Sequence, residues 1–426
     1  MSRAHRVNAD LLLTNIGELL TMAGNSSKPV TFPDLRSLGL RNGQELCVAV
    51  SGDRIIFVGK RSEMPDTINT GTAEEIDCES RLVLPGFVDC HTHAIFAGSR
   101  EDELTSKLAG ATYLDILKSG GGIQKTVKET NQASDNEILS QTRARLNRMI
   151  ALGTTTFEIK SGYALTVSGE IRLLELLQKL RSEERYDITS TLLSAHALPP
   201  EYATRPSAYL QEVVIPSINL CAERSLASFC DVFLEDGVFD YRDSEMILTQ
   251  AARVGLKTKI HADEFSDQGG ADLAAKLRAV SADHLACSSL EGIAKMARNG
   301  VVGVLLPGTL FSSFVGSYAQ ARQFIEAGLP VAIATDLSPN SWIESMQFVI
   351  SLGCYGMRMS VEEALVAATI NGAHALSLGG ELGSIEVGKK ADILICNATN
   401  YQQIPYRIAS NVVQKVIKGG RLIREN

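Results

Sequence analysis

The sequence predicts an α/β protein, a (β/α)8 barrel of the TIM type joined to a small β-sandwich domain built from both chain termini. Three observations carry this. The middle of the 426-residue chain repeats one unit, a helix-like stretch closed by a glycine and followed by an apolar strand. Eight such strands can be counted over roughly 250–290 residues, the number and span of such a barrel. Both ends instead read as short strands and turns.

The repeat is explicit at four places. Gly153, Gly255, Gly300 and Gly328 each separate a helical run from an apolar one, and glycine just past a helix end accepts the left-handed conformation that closes it. The candidate strands are 84–91, 154–159, 188–193, 230–234, 256–261, 279–283, 301–306 and 331–335. Continuous apolar strands alternating with amphipathic helices indicate a parallel sheet covered by helices. Residues 171–180 form one such helix, with apolar side chains at 171, 173, 174, 176, 177 and 180. No Gly-x-Gly-x-x-Gly turn follows the first strand, which argues against a doubly wound open sheet. At the N-terminal end, 46–50 and 54–58 read as a hairpin across Ser51-Gly52-Asp53. At the C-terminal end, 391–396, 412–418 and 421–424 read as strands. The expected domains are therefore 1–84 and 377–426 for the small β unit and 85–376 for the barrel.

Composition excludes some roles. With 41 basic and 49 acidic residues the net charge is −8, which lacks the basic footprint of a nucleic-acid partner. Eight scattered cysteines without a Cys-x-x-Cys pair suit reduced thiols in the cytosol. Residues 1–10 lack the apolar core of a signal peptide, and no apolar run approaches a membrane span. A soluble, cytoplasmic protein without nucleic-acid or membrane partners is expected.

The run Pro85-Gly86-Phe87-Val88-Asp89-Cys90-His91-Thr92-His93 points to chemistry. A strand alternates its faces, so His91 and His93 project the same way. In a (β/α)8 barrel, function sits at the C-terminal ends of strands. There the chain places His91 and His93, then Lys160 and Tyr163, His196, Glu235 and Asp236, His261 with Asp263 and Glu264, His284, and Asp336. Five of the seven histidines fall at these ends; His5 and His374 do not. His91, His93, His261 and Asp336 make a plausible sphere for zinc or ferrous iron, with room for a water. Glu264 can take a proton from that water and pass it to a leaving nitrogen, and His284 can steady an oxyanion. Lys160 and Glu235 are not required for catalysis.

Taken in order, these residues resemble the amidohydrolase superfamily over nearly the whole chain. The carriers are Pro-Gly-Phe-Val-Asp-x-His-Thr-His, His-Ala-Asp-Glu at 261–264, Ala-Thr-Asp at the end of strand eight, and Gly383-Ser384-Ile385-Glu386-Val387-Gly388-Lys389-Lys390-Ala391-Asp392. Within it the chain looks like the imidazolonepropionase family. The supporting motifs are Ile95-Phe96-Ala97-Gly98-Ser99-Arg100-Glu101, Gly120-Gly121-Gly122-Ile123 with Thr126-Val127, Glu158-Ile159-Lys160-Ser161-Gly162-Tyr163 and Ala195-His196-Ala197-Leu198-Pro199. Related two-metal sites carry a lysine on strand four; its absence here leaves one divalent or trivalent metal ion, zinc or iron.

The resemblance implies hydrolysis of 4-imidazolone-5-propanoate to N-formimidoyl-L-glutamate by a cytosolic homodimer. Metal-activated water would attack the ring carbonyl, with Glu264 as general base and then acid, and with His284 and Asp336 also in catalytic roles. Arg100 would hold the propionate tail in a bidentate fork, while Tyr163 and His196 contact ring or tail. Where bacterial members read Asn-Pro-Gly-Thr, this chain reads Ser338-Pro339-Asn340-Ser341, so either Ser338 or Asn340 is the ligand contact. The rival readings are a mononuclear deaminase of a nucleobase-like ring and a structural homologue without catalysis.

Overall fold

A computed structural model describes residues 7–110, 121–183, 186–314 and 317–426. His5, and Gly120 of the triple-glycine motif, lie outside the described residues. The apolar segments of the middle region form one parallel sheet: Phe87–Asp89 (β1), Thr154–Lys160 (β2), Asp187–Ala195 (β3), Phe229–Leu234 (β4), Lys257–Ala262 (β5), Ser281–His284 (β6), Val302–Leu305 (β7) and Val331–Ile333 (β8). They neighbour one another in chain order. The outer two meet just beyond their ends. Asp336 N–H donates to His91 O at 3.1 Å, and His93 N–H donates to Leu337 O at 2.8 Å. That seam closes the barrel and sets Asp336 beside the histidine pair.

Helices cover the sheet, among them Asp102–Leu108 (α1), Val167–Arg181 (α2), Gly270–Leu277 (α3) and Leu290–Asn299 (α4). Thr166 caps α2 by accepting from Gly169 N–H, and Ile171, Leu173, Leu174, Leu176, Leu177 and Leu180 form its buried face. Gly300 ends α4 in the left-handed region at φ 73°, as expected of a glycine in that place.

Both termini build one seven-stranded sheet. Its order is Arg421–Glu425, Val413–Lys418, Ile393–Cys396, Glu74–Pro85, Leu11–Leu19, Arg41–Ser51, Arg54–Lys60. Leu11, Leu13, Val48, Val50, Ile393 and Ile395 pack on one face. Leu12, Cys47 and Ala49 pack on the other, against Ile68 from the small pair Val7–Asn8 and Ile68–Asn69. This is the two-faced alternation of strands packed on both sides.

The expected first barrel strand divides in two. Glu74–Pro85 pairs with Ile393–Cys396 in the small sheet, and the barrel begins only at Phe87. Gly86 is the switch: its N–H goes to Asp392 O, and the next N–H, of Phe87, goes to Gly153 O. A Cβ at Gly86 would lie 2.2 Å from Thr155 Oγ1, so the crossing needs glycine. All eight cysteines are free. Among the described residues no helix is long and apolar enough to cross a membrane.

Candidate metal centre and active site

His91 and His93 follow β1 on one face because Thr92 between them turns the other way. Its hydroxyl donates to Glu158 O at 2.6 Å, and its carbonyl accepts from Lys160 N–H. The two rings enter the barrel mouth, where His261 from the end of β5 and Asp336 from beyond β8 meet them. His261 Nε2 lies 3.3 Å from His93 Nε2. Asp336 Oδ1 lies 3.5 Å from His91 Nε2 and 3.4 Å from His93 Nε2. Burial, reinforced by nearby cationic groups, pushes the His91 and His93 imidazoles well below their usual pKa. Both are therefore neutral near pH 7, with lone pairs available.

These atoms fit a metal ion. Donors about 2.0–2.1 Å from one centre at tetrahedral angles stand roughly 3.3–3.4 Å apart, close to the spacing seen. His91 Nε2 is a buried nitrogen with no hydrogen-bond partner, and the donor atoms of His91, His93 and His261 all fall within 4.8 Å of one another. A cation among them satisfies what no proton does.

The ring orientations are set from behind. His91 Nδ1 donates to Asp283 Oδ2 at 2.6 Å, and His261 Nδ1 lies 3.0 Å from Asp231 Oδ2. For His91, a proton held on Nδ1 turns the Nε2 lone pair inward. Lys160 Nζ then ties these carboxylates together, 2.7 Å from Asp231, 2.9 Å from Glu158 and 3.6 Å from Asp283. Lys259 Nζ adds Glu158 at 3.0 Å and Cys90 O at 2.8 Å. Burial works against the Lys160 ammonium, yet Asp231, Glu158 and Asp283 outweigh it and raise its pKa. Two lysines thus face three carboxylates, all fully buried, a layer that is net negative beneath a cation site.

Sequence reasoning passed over Glu158, Asp231, Lys259 and Asp283. A signal was present: Glu158 and Lys160, like Lys259 and His261, are two apart on a strand and share its inward face. Asp283→Asn should weaken affinity for Zn²⁺ or Co²⁺ by about 10–100-fold, measured by titrating metal-free protein. Unchanged affinity would show that this carboxylate does not orient His91.

Around the centre, His284 and Asp336 adopt φ 77° and 51°. For a residue with a Cβ this costs of order 1 kcal/mol or more, a strain typical of functional loops. Glu264 and His284 face each other, Nδ1 to Oε1 3.6 Å. Burial first, then the Asp336 and Glu235 carboxylates, hold Glu264 well above the usual carboxylate range. Burial also raises Asp336 to about 6, against the Thr309 hydroxyl that donates to it. Glu235 anchors the Glu264 loop through Phe265 N–H and the Ser266 hydroxyl. Asp263 is spent on structure, accepting from Gly270 and Ala271 N–H at the start of α3.

His196 stacks on His93 at 4.8 Å between ring centres, and Tyr163 sits 5.9 Å from His93 and 5.2 Å from His196. His196 Nδ1 donates to Gly162 O at 3.1 Å, which leaves Nε2 as an acceptor. Buried Glu170 holds the loop that carries Tyr163, accepting N–H groups of Gly162, Ala164 and Leu165.

Arg100 is placed differently from the simple expectation. Its Nε and Nη2 already make a bidentate pair with Glu103, at 3.0 and 2.7 Å. Only the Nη1–Nη2 end remains for a ligand. Asn340 Oδ1 lies 3.5 Å from Arg100 Nη2, whereas Ser338 closes a turn by accepting from Ser341 N–H. The two candidates from the departing loop therefore have different surroundings, Asn340 beside Arg100 and Ser338 within its own turn.

The profile described as the amidohydrolase family matches residues 82–423. The imidazolonepropionase of Alkaliphilus metalliredigens is 44% identical, covering 97% of this chain and 98% of its own. That of Geobacillus kaustophilus is 43% identical, covering 97% of each. The chain belongs to the imidazolonepropionase branch of the amidohydrolase family. Solved structures share the fold at lower identity. A 5-methylcytosine deaminase from Klebsiella pneumoniae superposes with a TM-score of 0.74 at 15% identity, covering 98% of each chain. An adenosine deaminase from Xanthomonas campestris with bound zinc gives 0.71 at 18%, covering 98% of this chain and 93% of its own. For this amidohydrolase, family and donor set together support a metal cofactor.

Proposed function

We propose that the protein opens the ring of 4-imidazolone-5-propanoate by hydrolysis, giving N-formimidoyl-L-glutamate. The observation that carries this is a buried three-histidine, one-aspartate cluster with a buried carboxyl beside it and Arg100 on the loop that leaves the same strand. One zinc or iron ion held by His91, His93, His261 and Asp336 would supply Lewis acidity, lowering the pKa of water and drawing electron density from the ring carbonyl.

The chain's own groups do the rest. Glu264 accepts a proton from the attacking water as its oxygen bonds to the carbonyl carbon. The raised pKa suits this group to hold that proton and then deliver it to the ring nitrogen as the C–N bond breaks. The carbonyl carbon becomes a carboxylate that stays bonded in the single ring-opened product, its acid proton lost to solvent. His284, kept neutral by burial, offers an N–H to the developing oxyanion. His196 Nε2 accepts from a ring N–H, and Tyr163 flanks the ring. Arg100 holds the tail by the end of its guanidinium, with Asn340 rather than Ser338 as the neighbouring contact.

Free thiols and the acidic net charge support a cytosolic setting without nucleic-acid or membrane partners, and the family resemblance supports a homodimer. The deaminase alternative shares the fold, but a nucleobase ring has no tail for Arg100. The direct test follows loss of ultraviolet absorbance of freshly made imidazolone propionate; no loss with metal-loaded enzyme would overturn the assignment. Arg100→Ala is expected to raise KM by about 10–100-fold, the worth of a charge-assisted contact. An unchanged KM would remove Arg100 from the tail site.

A further inference from the structure

We infer that Lys107, on α1, is a second carboxylate-binding residue, and that it supplies the uncompensated positive charge which selects substrates with an anionic tail. This rests on the reading of the site given above and extends it to a residue outside every motif considered so far.

The argument begins with charge. Arg100 and Glu103 are both buried, 7% and 6% exposed, and locked in a bidentate pair; Glu103 Oε1 also accepts from Gly122 N–H at 2.7 Å. As a unit they are neutral, so Arg100 alone presents a weakened field to a ligand. Lys107 Nζ sits beside them, donating to Asn340 Oδ1 at 2.8 Å, the same amide oxygen that Arg100 Nη2 approaches at 3.5 Å. Among the described residues no carboxylate lies within ion-pair distance of Lys107. Among the described residues, Arg100, Glu103 and Lys107 together therefore carry one net positive charge, focused on one neutral oxygen.

An amide oxygen is a modest acceptor for two cations. A carboxylate oxygen in its place would accept from both and neutralise the excess. Asn340 thus marks where the tail carboxylate docks, and its side chain swings aside or shares the donors when substrate enters. Burial, with Arg100 adding repulsion, already lowers the Lys107 pKa, and an arriving anion relieves that repulsion. Arg100 comes from the loop after β1 and Asn340 from the loop after β8, whose ends also carry the metal ligands. A tail bound here therefore belongs to a ring in the mouth of the barrel.

The test uses Lys107→Met and Lys107→Arg in the metal-loaded enzyme, with Lys125→Met as a control. Lys125 is a lysine of the same region, paired with Asp102. Lys107→Met should raise KM for imidazolone propionate about tenfold or more, with the change carried by KM rather than kcat, and Lys107→Arg should recover most of it. Binding gives a readout independent of turnover. Calorimetric titration with imidazole-4-propionate should weaken about tenfold in Lys107→Met, while 4-propylimidazole, which lacks the charge, binds both forms alike. Values within twofold of wild type and of Lys125→Met would overturn the proposal. A wild-type enzyme that hydrolyses the substrate with a tail preference indifferent to Lys107 would sink this inference and leave the activity standing. Lys107-dependent binding of the propionate without turnover would do the reverse.

Discussion

Glu264→Gln is expected to keep its metal and lose about 10²–10⁴-fold in kcat, the usual contribution of a positioned proton carrier. The side chain is 8% exposed, next to His284 and within the field of two other carboxylates, Asp336 and Glu235. Burial and those charges hold its pKa well above the usual carboxylate range, which suits the group to keep a proton taken from water. Glutamine keeps the shape and the position facing His284 but cannot carry a proton. KM should change little, because Glu264 acts on the reacting water rather than on the tail. Metal analysis beside steady-state kinetics checks both halves. Near-normal kcat would remove Glu264 from the chemistry, and loss of the metal would make it a ligand instead.

Stripping the metal with a chelator should abolish turnover, and zinc or ferrous iron should restore it. The same treatment should destabilise the fold. His91 Nε2 is left without a partner, His261 Nε2 faces His93 Nε2 at 3.3 Å, and the Asp336 carboxylate stands 3.4–3.5 Å from the histidine pair with no cation between them. An ion bound only by the folded chain at a thousandfold excess over its Kd contributes about 4 kcal/mol. Thermal unfolding of stripped and reloaded protein measures this directly. Equal melting temperatures, or full activity after chelation, would place the ion elsewhere. Asp336→Asn should mimic the loss, since it removes the one anionic donor of the set.

The barrel was legible because its physics is local. Fully buried parallel strands read as apolar runs, and the helices before them end at glycines such as Gly300. The four proposed ligands were legible for the same reason: a polar side chain at the end of an apolar strand stands out in one dimension. The small domain was visible as a change of texture at both ends. What the one-dimensional pattern misjudged was the crossing at Pro85-Gly86, where a run that looks continuous changes sheets. Neither Asp392 O nor Gly153 O, the partners that decide it, can be seen from the strand itself.

The site shows the same division. Arg100 could be singled out by its loop, but Glu103 taking its Nε–Nη2 face depends on how α1 folds back. The layer of Glu158, Lys160, Asp231, Lys259 and Asp283 draws on four strands. Each residue by itself reads as an isolated charge, and only closure of the barrel makes them mutual counterions. Lys107 and Asn340 stand 233 positions apart, joined because β1 and β8 meet at the barrel seam. The sequence by itself carried the architecture through residue type and short-range periodicity, the family through its ordered motifs, and the proposed donor residues through their places at strand ends. The tertiary structure decided which histidine nitrogens face inward and what remains of Arg100 for a ligand. It also decided where the excess positive charge lies. Those depend on the distances and angles between side chains far apart in the chain and on their burial, which together set electrostatic and hydrogen-bond energies.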